Sequence, residues 1–485
     1  MPNSSKSMAS SAKNTKLVTI GSILLVLALG VFGLSLSTIQ GPILKSINGE
    51  SFFTLTTTVA SLAICVMTPV GGRLTDMIGT KKLVLWGGLI SIATGLLLPL
   101  MRTPVLFILD RFVLSIAQGA MASVAYIIVR QVNPPKEVPK VMGYLAAAMA
   151  FGAFFGSWLA GVFTDMGLLW AAMIFPVVFV IPAVWLIYTY MPHQETNPSI
   201  KLDWIGLILL SICLSAIFLS LNFGPTIGWG DWKIIVGFAA GIVALIALLV
   251  YERKAASPLI PLQIFKNKQY SVLLVIAFFS IFYAIAMNVY VPKGVQDLMH
   301  ASAAVSGSLQ IPRTILTVIL PAFVGVWITR NQVKHTWMAL ALGGFFIFCS
   351  FSLLVFMGPS MPVWFVIVML TFTGASDSLR STALTPAAQT LLAPKDMGIG
   401  TSMIGFTITL SNLFSSALYG IAYDSLLKLN ENGKGEIYGL DTVFLIAAVT
   451  GLICLLIAST IYRKMALSGK YTYKPEQSES PKAKA

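Results

Sequence analysis

Gly72-Arg73-Leu74-Thr75-Asp76-Met77-Ile78-Gly79-Thr80-Lys81-Lys82 stands between two long apolar runs, residues 53–72 and 83–101. The glycines permit close helix approach or a positive φ. Asp76 is placed to cap a helix or meet a basic partner, and Lys81 and Lys82 belong in water. Each flanking run has the length that crosses a ~30 Å hydrocarbon core as helix. The stretch therefore reads as a tight turn at a membrane surface, and the same grammar recurs along the chain.

Composition agrees. Of 485 residues, 56% are hydrophobic and 10% charged, against about 25% charged in soluble domains. Backbone groups go unsatisfied in lipid, so only helices or closed barrels span it. Barrel strands would show short alternating segments, whereas these runs are long and continuous. The chain is thus expected to be an all-α integral membrane protein. Spans are expected near 17–42, 53–72, 83–101, 104–130, 141–164, 168–190, 204–222, 234–251, 271–292, 308–328, 337–357, 362–392, 398–423 and 441–462. The twelfth is overlong and is expected to tilt or end early.

The basic residues set the orientation. With the N-terminus inside, alternate loops and both tails hold 23 of the 32 Lys and Arg; the other side holds Lys45, Arg102, Lys233, Lys293, Lys428 and Lys434. That asymmetry is the positive-inside pattern. It predicts a multi-pass protein of the cell membrane with both termini cytoplasmic. The net charge of +14 lies in short connections and not on one face of a folded domain, which speaks against nucleic-acid binding. The four cysteines lie inside apolar runs without paired spacing and read as small packing residues. No cofactor or metal is expected.

A segment repeats. Pro135-Lys136-Glu137 followed by Ser157, Leu159, Gly161 and Asp165 recurs as Pro394-Lys395-Asp396 followed by Ser416, Leu418, Gly420 and Asp424, at a constant offset of 259 residues. The expected organisation is a cytoplasmic tail (1–16), a six-helix bundle (17–190), a linker with two extra helices (191–270), a second six-helix bundle (271–462) and a basic cytoplasmic tail (463–485).

The opening stretch resembles the G-x-L-x-D-x-x-G-x-[RK]-[RK] motif of the major facilitator superfamily. The resemblance implies a conformational latch at Gly72, Asp76, Gly79, Lys81 and Lys82, with the acid at a helix N-terminus. Residues 325–335 form a worn copy in which Thr329 takes the acid's place. Gly143, Gly152, Gly156 and Gly161 are similar to the same family's antiporter motif, with Ser157 where that motif has proline. Gly152 and Gly156 also make a small-xxx-small packing face. Asp203-Trp204-Ile205-Gly206 and the segment 258–267 resemble the fourteen-span drug:proton antiporter branch. Leu36 stands where that branch carries an acid in its first span. The implied fold is a major facilitator fold of two six-helix bundles plus two inserted helices.

Ionisable groups inside spans are costly and normally face a cavity or a partner. Asp110 and Arg111 lie in the fourth span; Arg111 begins a segment similar to a family motif implicated in proton transfer, and Asp110 suits either the outer headgroups or a functional role. Helical spacing puts Arg111, Ser115 and Gln118 on one face. In the twelfth span, Asp377 and Arg380 are spaced to pair along one face, structurally or for transport. By the repeat, Asp377 takes the place of Gln118, and both are expected to line a cavity between the bundles. Tyr126 and Tyr283 are aromatic candidates for that cavity. Arg313 is expected either to meet substrate or to snorkel to the outer interface.

The expected function is secondary active, proton-coupled efflux of small amphipathic compounds by a monomer using alternating access. Proton coupling falls to Asp377 and Arg380, with Asp110 and Arg111. The partners are a small-molecule substrate, protons and the bilayer. The rivals are a proton-coupled or facilitative importer of a small polar solute and a non-transporting sensor or scaffold. No phosphate-binding loop is present. The three histidines are expected in loops, and no nucleophile–His–acid set is visible, so an enzyme is not expected.

Overall fold

In the computed structural model, the described residues are 2–49, 52–192, 203–255, 258, 260, 262–300, 309–358, 361–393, 396–428 and 435–469. Fourteen helices among them are long and apolar enough to cross a membrane. They are α1 Asn14–Ser46, α2 Leu55–Ile78, α3 Thr80–Leu100, α4 Pro104–Val132, α5 Val138–Asp165, α6 Leu169–Tyr190, α7 Trp204–Leu221, α8 Trp232–Glu252, α9 Lys268–Val295, α10 Ile311–Arg330, α11 Gln332–Leu354, α12 Val363–Gln389, α13 Met397–Tyr423 and α14 Gly435–Ser468. Polar side chains start several of them by accepting from the exposed amides of the first turn. Asp203 accepts from Gly206 N at 2.8 Å, Asp231 from Lys233 N at 2.8 Å, and Asn331 from Lys334 N at 3.0 Å.

The structure corrects two local expectations. The stretch expected as a turn is helical through Ile78, and the chain reverses at Gly79 alone, whose φ of 84° is open to glycine. Asp76 therefore sits on the last turn of α2. His335, expected in a loop, lies in the first turn of α11, stacked on Trp327 at 4.5 Å. The overlong twelfth span is one continuous helix that ends at Gln389.

Within residues 18–191, α1 packs on α5 and α6, and α2 on α4. Gly152 and Gly156 leave no room for a side chain: an added Cβ would lie 2.4 Å from Leu27 O and 2.6 Å from Val31 O. The small face of α5 thus lets α1 approach. Gly161 has open space in front of it and plays no part in that packing. From residue 264 onward two further apolar clusters form among α9–α14. The inserted helices α7 and α8 pair with each other, and α7 docks on α2 and α13 through Leu210, Leu214 and Phe218.

α5 meets α10 and α12, and α2 meets α13. The closest approaches between the two sides gather at the end carrying Lys81, Arg130, Lys140 and Lys334, here the basic end. An added Cβ on Gly72 would meet Ser402 Oγ at 2.5 Å and Ile399 Cα at 2.8 Å; one on Gly143 would meet Pro321 O at 2.3 Å. On the worn copy, Gly325 lies against Pro139 O and Lys140. Gly33, midway along α1, and Gly41 and Gly161, nearer the opposite end, have nothing within 4 Å of an added Cβ. Among the described residues, the two sides close on each other at the basic end.

Candidate functional site

Between the two sides lies a cavity of about 730 Å³, lined from α1, α2, α4, α5, α9, α10, α12 and α13. Its walls are mixed. Met149, Phe154, Trp158 and Met287 give apolar and aromatic surface, and Ser123, Asn288, Gln310, Thr314 and Ser381 give neutral polar groups. Trp158 is 55% exposed and Phe154 40% exposed, as befits side chains on the open side.

The only charged groups among the described lining residues are Arg313, Asp377 and Arg380. Asp377 receives both arginines. Arg313 Nη2 donates to its Oδ2, and Arg380 Nη2 donates to its Oδ1 at 3.2 Å. These side chains are only 13–18% exposed. Arg313 Nε also donates to Thr373 Oγ1 at 3.1 Å. Gly374 makes the arrangement possible: its missing side chain lets the Arg313 backbone of α10 press onto the middle of α12, where an added Cβ would lie 2.8 Å from Arg313 O. The expected snorkelling of Arg313 to the outer interface is thereby overturned. A carboxylate within reach in a low-dielectric cavity outbids the headgroups.

Tyr126 lines the cavity, just beyond the break at Ala122 and Ser123 that divides α4. Ser115 and Gln118 do not line it. They lie on the other side of that break, Ser115 fully buried and Gln118 half-buried with Nε2 unpartnered. The repeat offset places Gln118 opposite Asp377 in sequence, but the break in α4 removes the equivalence in space. Tyr283 is fully buried behind the cavity wall and donates to Thr373 O at 3.4 Å. It supports the Arg313 partner and does not face the cavity. Asp110 and Arg111 are buried, 7% and 9% exposed, and also lie off the cavity. Asp110 lies in the second turn of α4, packed within the protein.

At the basic end the first glycine-acid segment closes onto the start of α13. A Cβ on Gly398, in that helix's first turn, would lie 2.6 Å from Asp76 Oδ1 and 2.5 Å from Thr75 Oγ1. Helix N-termini carry unpaired amides and positive partial charge, so the acid stands at a favourable place. Lys81 Nζ donates to Met191 O at 3.4 Å, just past the end of α6, and lies 5.0 Å from the Tyr188 ring. Lys82 is exposed.

Some contacts at this closure had no signature in the sequence. Ser123 and Ser402 share a hydrogen bond across the two sides. Gln389 Nε2 donates to Tyr126 O at 3.4 Å, and Gln332 Nε2 to Pro135 O at 3.3 Å. The repeat offers a retrospective signal for one of them, since Ser402 follows Gly143 by the same 259 residues.

The sequence pattern described as Major Facilitator Superfamily matches residues 18–416. Multidrug resistance protein 3 of Bacillus subtilis is 26% identical over 427 residues, covering 87% of this chain and 82% of the relative. The multidrug transporter protein MdtP of the same organism is 24% identical over 414 residues, covering 84% and 75%. Among solved structures, the Escherichia coli fucose:proton symporter FucP superposes with a TM-score of 0.61 at 13% identity, covering 94% of this chain and 99% of that one. A bacterial homologue of the iron transporter ferroportin, in an outward-facing state, gives 0.61 at 13% identity, covering 91% and 99%.

Proposed function

The chain belongs to the Major Facilitator Superfamily, and from that premise we propose that it is a secondary active exporter of small amphipathic compounds, working by alternating access and energised by the proton-motive force. It is a transporter fold, and the observation that carries the proposal is the cavity. It lies between the two sides, opens at one end, and joins aromatic and methionine surface to a single charged cluster. Such walls suit bulky, loosely specified ligands. The multidrug names of two relatives support the same reading and favour export over uptake of a small polar solute.

In this reading the basic end is cytoplasmic and the structure is the outward-facing state. Asp377 is the one acid among the described lining residues, so its charge state sets how strongly Arg313 and Arg380 bind across α10 and α12. Asp76, on the last turn of α2 and against the start of α13, holds the cytoplasmic end shut. Energised vesicles test the proposal: compounds from a panel of amphipathic dyes and antibiotics should leave the cytoplasmic side when a pH gradient or a membrane potential is imposed. Absence of energised movement for every member would favour a sensor or scaffold.

Two expectations follow. Asp76→Asn removes a charge from a helix N-terminus, an interaction of about 1 kcal/mol. It should reduce transport several-fold while the protein still inserts and folds; unchanged kinetics with normal insertion removes the latch role. Single cysteines at Lys82 and Lys334 should label with an impermeant maleimide only from the cytoplasmic side, and those at Lys233 and Lys293 only from outside. Labelling of the Lys334 position from outside breaks the assigned orientation.

A further inference from the structure

Counting charge inside the cavity gives two guanidinium groups and one carboxylate, so the described lining carries a formal excess of one positive charge. The groups facing Asp377 are Arg313 from α10, Arg380 from its own helix, and the Tyr283 phenol from α9. None of them is a second acid. Arg380 spends one nitrogen on Asp377, and its Nε has no partner. An uncompensated charge at membrane depth is expensive, about 2.5–3.5 kcal/mol or more. A guanidinium also offers five donors in a fork that fits a carboxylate, sulfonate or phosphonate.

Resting on the exporter reading above, we infer that the substrates are amphipathic monoanions. The acidic group occupies Arg380, and the apolar body lies against Met149, Phe154, Trp158 and Met287. With the anion bound, two arginines face two negative groups and the loaded cavity is neutral. Without it the cavity is positive, and a lipophilic cation makes the imbalance worse. A proton on Asp377 would tighten the hold on an anion, so the pH component of the gradient does not expel it. The electrical component does: each cycle moves one net negative charge outward, which an inside-negative potential favours by about 2.3 kcal/mol per 100 mV, and it acts on the step in which the emptied, positive cavity returns towards the inside. Export of these substrates is therefore electrogenic.

Two xanthene dyes of similar size test this. Sulforhodamine B carries one net negative charge and rhodamine 6G one net positive charge. Purified protein in proteoliposomes is given a potassium–valinomycin potential or a pH gradient, each alone. The expected result is potential-driven movement of sulforhodamine B at least fivefold faster than any movement of rhodamine 6G, with little response to the pH gradient. Binding of sulforhodamine B, read by tryptophan quenching, should weaken roughly tenfold or more in Arg380→Gln and recover in part in Arg380→Lys, which controls for folding. Energised movement of rhodamine 6G without sulforhodamine B overturns the anion inference and leaves the exporter standing. Movement of sulforhodamine B that ignores the potential, or unchanged binding in Arg380→Gln, also overturns it. Movement of neither dye, while another compound of the panel moves, overturns the inference and leaves the exporter standing; no energised movement of any panel compound overturns both.

Discussion

Asp377→Asn is expected to lower net energised transport at least tenfold while the protein still inserts in the membrane. Asp377 is the common partner of Arg313 and Arg380. The substitution keeps the shape and removes the charge, so two guanidinium groups remain in a cavity with no counter-ion among its described lining residues. Breaking a buried pair by removing one partner costs about 3–5 kcal/mol, because the remaining charge is left uncompensated. Here one carboxylate serves two cations, so the larger part of that range applies, reduced somewhat by the 13–18% exposure of these side chains. The loss falls on the return of the emptied carrier: with Arg313 and Arg380 both uncompensated, the empty cavity reorients slowly. Exchange of substrate across the membrane at equal concentrations should therefore survive better than net transport. Full net transport by Asp377→Asn in proteoliposomes would make the cluster a structural pair.

Gly72→Leu should have the second large effect, on the conformational equilibrium. The site is an approach of backbone to backbone. An added Cβ meets Ser402 Oγ at 2.5 Å, Gly398 O at 2.8 Å and Ile399 Cα at 2.8 Å. Ser402 can rotate away, but the backbone of α13 cannot. A leucine there forces α2 and α13 apart at the basic end. Overpacking costs about 1–3 kcal/mol, enough to move an equilibrium roughly tenfold or more. The halves each keep their own packing, so the protein still folds. Spin labels at Lys82 and Val333, both exposed at that end, should move apart in pulsed EPR, and transport should fall in parallel. An unchanged distance distribution would show that the closure does not depend on this contact.

The spans were legible because lipid writes its demand in long apolar runs: all fourteen sequence-based spans correspond to observed helices, with ends shifted by a few residues. The segment around Asp76 was legible as a family resemblance, and its acid lies beside the first turn of α13. That α2 continues as helix to Ile78 was hidden, since the same glycines and polar residues suit either a loop or the wet end of a helix.

The cavity was only half readable. Asp377 and Arg380 announce themselves as charges in an apolar run, and i, i+3 spacing pairs them. Arg313 is 64 residues from Asp377, and its meeting depends on Gly374, an unremarkable glycine whose value appears only when α10 is packed on it. Gln118 misled for the opposite reason. Sequence equivalence to Asp377 is exact in number, but the break at Ala122 and Ser123 turns that part of α4 away from the cavity. Tyr283, read as a cavity aromatic, is buried beside Asp377 and Arg313 and donates to Thr373 O.

The central claim is that one cavity is open to each side of the membrane in turn. Thr409 lines that cavity on α13, and its replacement by cysteine in a background without other cysteines reports access. An impermeant maleimide is applied to right-side-out and to inside-out vesicles, with wild-type Gly72 and with Gly72→Leu. The account predicts faster reaction from outside with Gly72, and a shift towards reaction from the cytoplasmic side with Gly72→Leu. Reaction from one side only in both proteins, at unchanged rates, would contradict alternating access and leave a fixed scaffold.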